Sequence, residues 1–240
     1  MTELKHITIG VLALQGAFVE HIRHLANAIK NGQYEEYHFS FPQVKTPEEL
    51  ATCDALIIPG GESTAMSLIA ERTGMLSPLM DFINLEKPVW GTCAGLIFLA
   101  KQCVNGKEGQ HFLGGMDIEV TRNAFGRQMD SFIADLDFSD FIDGVNMFPT
   151  TFIRAPVVSK LLDPPGAIHK RDTEASIIYS KNTYCNPHKV QVLKLLEDRN
   201  GFIVAVRQGN KLGTSFHPEL SADSRFHKWF VDEFVLGKSY

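Results

Sequence analysis

Residues 7–14 form a nearly continuous apolar run, the pattern of a parallel strand buried on both faces. The run ends at Gln15-Gly16, after which Val19, Ile22, Leu25, Ala26 and Ile29 recur at helical spacing and predict an amphipathic helix over 17–30. Residues 37–44 alternate as a second strand. A third, over 54–58, is stopped by Pro59-Gly60-Gly61. Ser63 is placed to cap a helix running through Arg72. The short apolar run 88–90 leads into Gly91-Thr92-Cys93-Ala94-Gly95 and a further apolar helix reaching about Lys101.

Strands alternating with helices predict an α/β fold with an open, mostly parallel sheet flanked by helices. Ligands in such folds gather at the carboxyl ends of the strands. The three unusual loops, at Gln15-Gly16, Gly60 to Ser63 and Gly91 to Gly95, each follow a predicted strand and are expected to share one crevice. The second half reads differently. Runs over 190–197 and 202–207 flank Asn200-Gly201, a hairpin signal, and a third run over 212–216 leads to His217-Pro218-Glu219, giving a C-terminal antiparallel hairpin region. A final helix over 222–236 carries Phe226, Trp229, Phe230 and Phe234 on its apolar side. Residues 160–189 carry the weakest pattern, and a surface insertion is expected at about 157–189 within a single domain spanning 1–240.

Composition sharpens this little. The chain is 44% hydrophobic and 21% charged, an ordinary globular balance, and its length permits a full core without disulfides or metals. A formal charge of −5 with no basic stripe gives no reason to expect nucleic acid. No apolar run is long enough to cross a membrane, so a cytoplasmic protein with reduced cysteines is the expectation. The four cysteines contain no C-x-x-C pair, the nine histidines no H-x-x-x-H or H-E-x-x-H spacing, and no metal site is predicted. Asp135, Asp137, Asp140 and Asp143 lack the pattern of a calcium loop and read as solvated.

Chemistry concentrates at two places. Gly91 to Gly95 has the form G-x-C-x-G between a strand and a helix, the thiol version of the nucleophile elbow. A sharp turn there exposes the Cys93 side chain at the top of the sheet. The helix dipole favours a thiolate, and the Ala94 N–H points towards an oxyanion on the attacked carbonyl. A cysteine nucleophile needs a base. His217, pushed towards extended backbone by Pro218, brings Glu219 to its own side, where the carboxylate can fix the ring tautomer. The other eight histidines read as surface or core residues, and Cys53, Cys103 and Cys185 as buried structural cysteines.

With these residues in place the chain resembles class I glutamine amidotransferases, and more narrowly the glutaminase subunit of pyridoxal 5′-phosphate synthase. The matching segments are Ile9-Gly-Val-Leu-Ala-Leu-Gln-Gly16, Pro59-Gly-Gly-Glu-Ser-Thr64, Gly91-Thr-Cys-Ala-Gly95, Arg122-Asn-Ala-Phe-Gly-Arg-Gln128, Phe152-Ile-Arg-Ala-Pro156 and Ser215-Phe-His-Pro-Glu219, in family order over most of the chain. The resemblance implies a flavodoxin-like sheet with Cys93 as nucleophile, His217 as general base and acid, and Glu219 as orienter. It makes Gly61, Glu62, Ser63, Arg122, Ile153 and Arg154 the L-glutamine site, with Gly61 and Ala94 forming the oxyanion hole. It implies no cofactor on this subunit and a (β/α)8-barrel synthase subunit as partner and ammonia acceptor, with Gln15-Gly16 a candidate part of the docking surface. The long stretches 135–148 and 157–189 depart from compact bacterial-type relatives and suggest a eukaryotic, fungal-type version. Rival readings are a stand-alone γ-glutamyl hydrolase of related fold and a non-catalytic regulatory subunit.

Overall fold

A computed structural model of the chain describes residues 4–126, 131–162 and 176–238. Arg127 and Gln128 of the matching segments, and residues 163–175 of the expected insertion, lie outside the described residues. Strand β1 (Lys5–Leu12) ends in four buried residues, and α1 (Phe18–Lys30) follows after Gln15-Gly16. The strand expected over 37–44 is two, β2 (Tyr37–Ser40) and β3 (Gln43–Val44), because Pro42 interrupts the donor ladder. Helix α2 (Pro47–Ala51) opens with a capping box in which Thr46 and Glu49 satisfy each other's backbone N–H groups. After it come β4 (Ala55–Ile58), α3 (Ser63–Arg72), α4 (Leu76–Asn84), β5 (Val89–Thr92) and α5 (Ala94–Leu99). The helix expected to reach Lys101 stops at Leu99, where Ala100 turns extended and begins β6 (Ala100–Val104). Residues 100–104 are claimed by long-range pairing with other strands on both sides.

The chain continues through β7 (Met116–Thr121), β8 (Ser131–Leu136), β9 (Phe148–Ile153), β10 (Val157–Leu161), β11 (Ile177–Tyr179), β12 (Gln191–Leu196), β13 (Phe202–Gln208), β14 (Lys211–Thr214) and α6 (Arg225–Trp229). The expected final helix over 222–236 begins later, at Arg225, and widens into a π-helical segment, Phe230–Val235. The 12-stranded sheet runs β11-β6-β7-β10-β13-β14-β5-β4-β1-β2, with β12 on β13 and β3 on β1. Every pairing from β2 across to β14 is parallel, whereas β12–β13 and β13–β14 form the expected antiparallel region. Strands β8 and β9 make a separate two-stranded ribbon.

The region expected to be a surface insertion is partly core. Val157 and Val158 are buried where β10 pairs with β7 and β13, β11 pairs with β6, and Asn186 is buried. Backbone pairing draws these segments into the sheet although their side chains carry little periodicity. Asp135, Asp137, Asp140 and Asp143 are exposed, as expected.

Successive strand residues face opposite sides. Leu56 and Ile58 of β4 enter one core with Met66, Leu79, Phe82 and Leu96 from α3, α4 and α5. Ala55 and Ile57 enter the other with Leu25 of α1, Trp90, Phe216, Phe226 and Phe230. Each large side chain in that aromatic layer contributes about 1.5–3 kcal/mol by burial. The layer also carries Phe148 and Phe152 of β9, which anchors the ribbon against the sheet. No helix among the described residues is long and apolar enough to cross a membrane.

Candidate active site

Three parallel neighbours, β4, β5 and β14, end side by side: Ile58 pairs with Gly91, and Thr92 with Thr214. The chain leaving β4 is Pro59-Gly60-Gly61, that leaving β5 is Cys93, and that leaving β14 is Ser215-Phe216-His217. The order of the strands alone therefore brings the elbow, the glycine loop and the histidine together.

The elbow is tightly constrained. Cys93 has φ 48° and ψ −101°, a sparsely populated conformation for a residue with a side chain, costing on the order of 1–3 kcal/mol. Its N–H donates to Thr214 O at 2.8 Å. A Cβ on Gly91 would lie 2.5 Å from the carbonyl of Gly95, and one on Gly95 would lie 2.1 Å from Ile58 O. Both glycines are thus demanded by the approach of α5 to β4 and β5. The Cys93 Sγ is 3.9 Å from Ile153 O. Ala94, the first residue of α5, belongs to the helical turn whose N–H groups have no intrahelical acceptor.

His217 is pinned by its N–H to Thr151 O at 2.8 Å. Its Nδ1 lies 2.8 Å from Glu219 Oε1, which leaves Nε2 to meet the Cys93 side chain. The pair is made differently from the expected extended segment: Pro218–Leu220 is a single 3-10 turn that folds Glu219 back beneath the ring. Both side chains are buried. Burial alone lowers the His217 pKa, but the Cys93 thiol and the Glu219 carboxylate outweigh it and raise the imidazole to about 10. Burial likewise pushes the Glu219 carboxyl up, and the adjacent His21 and His217 rings hold it below its ordinary value. An imidazolium therefore faces the thiol at neutral pH. Gly60 makes room for this, since a Cβ there would lie 2.3 Å from His217 Cε1 and 3.3 Å from Cys93 Cβ.

A cleft of about 450 Å³ opens over the thiol. Gly61, Glu62, Ser63, Cys93, Ala94, Arg122, Ile153, Arg154 and His217 all line it, leaving Glu219 alone of the sequence-predicted residues behind its wall. A larger groove beside Asn27, Ser221 and Arg225 is lined by neither cysteine nor histidine. Glu62, and not Ser63 as expected, caps α3: its carboxylate accepts from Thr64 N at 3.0 Å and Ala65 N at 2.7 Å. Burial opposes ionisation of Glu62, but these N–H groups prevail and lower its pKa. Arg122 braces the loop, donating to Glu62 Oε1, Thr64 Oγ1 and Gln110 Oε1, each at 3.3 Å. Gln110 in turn donates to Ser63 Oγ at 3.1 Å, and Gln15 to Glu62 O at 3.2 Å. Arg154 is exposed at the rim with φ 42°.

Gln110 and the cleft residue Lys107 escaped sequence reasoning because they stand in an unpatterned loop. His21 escaped because a histidine on a helix face carries no signal of its own; its Nε2 lies 3.4 Å from Glu219 Oε2. Cys53 and Cys103 are buried as expected, but Cys185 is exposed. Among the described residues no group of three or more His, Cys, Asp or Glu could hold a metal ion.

These environments predict a labelling pattern. Burial raises the Cys53 thiol and pushes Cys103 up to about 12, so neither offers a reactive thiolate. Iodoacetamide at pH 7.5 is expected to modify Cys93 and Cys185 of the folded protein and spare the other two, as read by peptide mass spectrometry. Cys93 is itself only 6% exposed, at the cleft, and its protection would contradict a reactive thiol there.

Comparison with known proteins identifies the family. A model of the SNO glutamine amidotransferase family matches residues 11–186 and 182–236. Pyridoxal 5′-phosphate synthase subunit SNO1 of Saccharomyces cerevisiae is 49% identical over 95% of this chain and 92% of its own length. Pyridoxal 5′-phosphate synthase subunit PdxT of Corynebacterium jeikeium is 43% identical over 93% and 94%. A solved glutamine amidotransferase structure, 36% identical, superposes with a TM-score of 0.70 over 95% of this chain and 98% of that one. The chain belongs to the SNO glutamine amidotransferase family.

Proposed function

We propose that this chain is the glutaminase subunit of a pyridoxal 5′-phosphate synthase, hydrolysing L-glutamine to glutamate and passing the ammonia to a synthase subunit of (β/α)8-barrel form. The observation that carries the reading is the convergence, at the ends of β4, β5 and β14, of an elbow cysteine and a His217–Glu219 pair under a cleft walled by Gly61 to Ser63. The names of the relatives supply the synthase. Continuity of one sheet from β2 to β11 supports reading residues 1–240 as a single domain.

The chemistry follows from the arrangement. Cys93 thiolate attacks the side-chain carbonyl carbon of glutamine, and the carbonyl π electrons move to oxygen. Backbone N–H groups of Gly61 and Ala94 receive the oxyanion. His217 imidazolium gives its proton to the leaving nitrogen, and the C–N bond breaks to release ammonia and a γ-glutamyl thioester. His217, now neutral, takes a proton from water, whose oxygen attacks the thioester; collapse releases glutamate and restores the thiolate–imidazolium pair. Glu219 holds the ring in the tautomer with Nδ1–H and favours the imidazolium. Arg122, Arg154, Ile153, Glu62 and Ser63 form the pocket for the amino-acid end of glutamine, with guanidinium groups suited to its carboxylate.

A chloroketone analogue of glutamine tests the assignment in the complex with the synthase subunit. One covalent adduct on Cys93, suppressed by added glutamine, is the expected result. An unreactive Cys93 would favour a non-catalytic subunit instead.

A further inference from the structure

Glu219 has two oxygens, and the proposed reaction uses one. Oε1 meets His217, while Oε2 is fully buried and makes no hydrogen bond of ordinary geometry. An ionised carboxylate in such a place needs donors. A side-chain donor within reach is His21 Nε2 of α1, 3.4 Å away and also 3.3 Å from Thr92 Oγ1. His21 has no accessible surface and is packed edge-on against Trp90.

Donor and acceptor roles can be assigned along the chain of rings. Burial lowers the pKa of His21 and drives that of His227 well below its ordinary value, so both are neutral and each has one N–H and one bare nitrogen. A carboxylate only accepts, so the nitrogen facing it, His21 Nε2, carries the hydrogen. His21 Nδ1 is then bare and accepts from His227 Nε2, 2.9 Å away. His227 Nδ1 is in turn bare, a buried acceptor with no hydrogen-bond partner. His24 stacks on His227 at 4.6 Å and is fixed by Ser224 Oγ at 2.9 Å. The charged or titratable groups facing His21 are thus Glu219 and His217 from the 3-10 turn, His24 and Glu20 from α1, and His227 from α6, with Asp223 beyond His24.

Resting on the glutaminase reading above, we propose that His21 is a positioning residue for the reaction: its Nε2–H holds the second oxygen of Glu219, and His227 fixes the tautomer that makes this possible. The two rings hold the Glu219 carboxylate in one rotamer and one ionisation state, and through it the His217 ring. Neither ring touches substrate.

The test compares His21→Met with His21→Gln in the complex with the synthase subunit. Methionine fills the space without a donor. Glutamine carries an amide nitrogen the same number of bonds from Cα as the ring Nε2, and its oxygen can accept from His227. His21→Met is expected to lower kcat by about tenfold to a hundredfold, the scale of a misplaced catalytic group, with KM for glutamine little changed. Loss of the donor raises the Glu219 carboxyl, so the acid limb of the pH profile should move up by about one unit. His21→Gln should recover most of kcat and return the limb. An unaltered kcat and pH profile in His21→Met would overturn the proposal, as would equal impairment of both variants with the wild-type profile. Alkylation of Cys93 by iodoacetamide at pH 7 gives a reading independent of turnover, slowed in His21→Met and restored in His21→Gln. Equal rates in all three proteins would count against His21, whereas an inactive wild-type complex would count against the glutaminase reading alone.

Discussion

His217→Ala is expected to lower glutamine hydrolysis in the presence of the synthase subunit by about 10⁴- to 10⁶-fold, the range seen when one member of a concerted triad is removed. The ring does three things that no neighbour can take over. In the proposed reaction it faces the Cys93 thiol as an imidazolium, protonates the leaving nitrogen, and then activates water. The raised pKa, about 10, comes from the Cys93 thiol and Glu219 acting against burial, so the imidazolium is present throughout the neutral range. Glutamine lies against Arg122 and the Gly61–Ser63 loop in the proposed pose, so binding of glutamine itself should persist while turnover disappears. Activity within tenfold of wild type would mean that another base serves Cys93.

The second large effect falls on stability. Gly95→Ala places a Cβ 2.1 Å from Ile58 O and 2.9 Å from its carbonyl carbon, both backbone atoms of a central strand. No side chain can rotate to relieve this overlap, so α5 must move off the sheet. Strain of this kind costs about 3 kcal/mol, which in a chain of this size lowers the melting temperature by about 6 to 12 °C. Because α5 carries Ala94 and follows Cys93, the protein that remains folded should also lose activity. An unchanged melting temperature, measured by calorimetry, would contradict the interlock of elbow and sheet.

Much of this architecture is legible in the sequence, for reasons that differ by element. Buried parallel strands such as β1 and β4 are apolar on both faces and read directly, and α1 declares itself by spacing. The elbow reads because a sharp strand-to-helix turn leaves glycines around its nucleophile. What failed depends on distant partners. Residues 100–104 follow an apolar helix in sequence, yet β7 and β11 claim them as a strand. The strands 157–161 and 177–179 are short and weakly alternating, and pairing with β7, β13 and β6 recruits them to the sheet. Ser63 has the residue type of a cap, but the longer Glu62 carboxylate reaches back to Thr64 and Ala65. The His21–His227 contact joins residues 206 positions apart, and only the sheet order brings them to the back of Glu219.

Glutamate release from L-glutamine, with and without the synthase subunit, for wild type and Cys93→Ala, tests the central claim most directly. Turnover that appears with the synthase and is abolished in Cys93→Ala is the predicted result. Hydrolysis that survives in Cys93→Ala would contradict it, as would a wild-type chain that releases no glutamate under either condition.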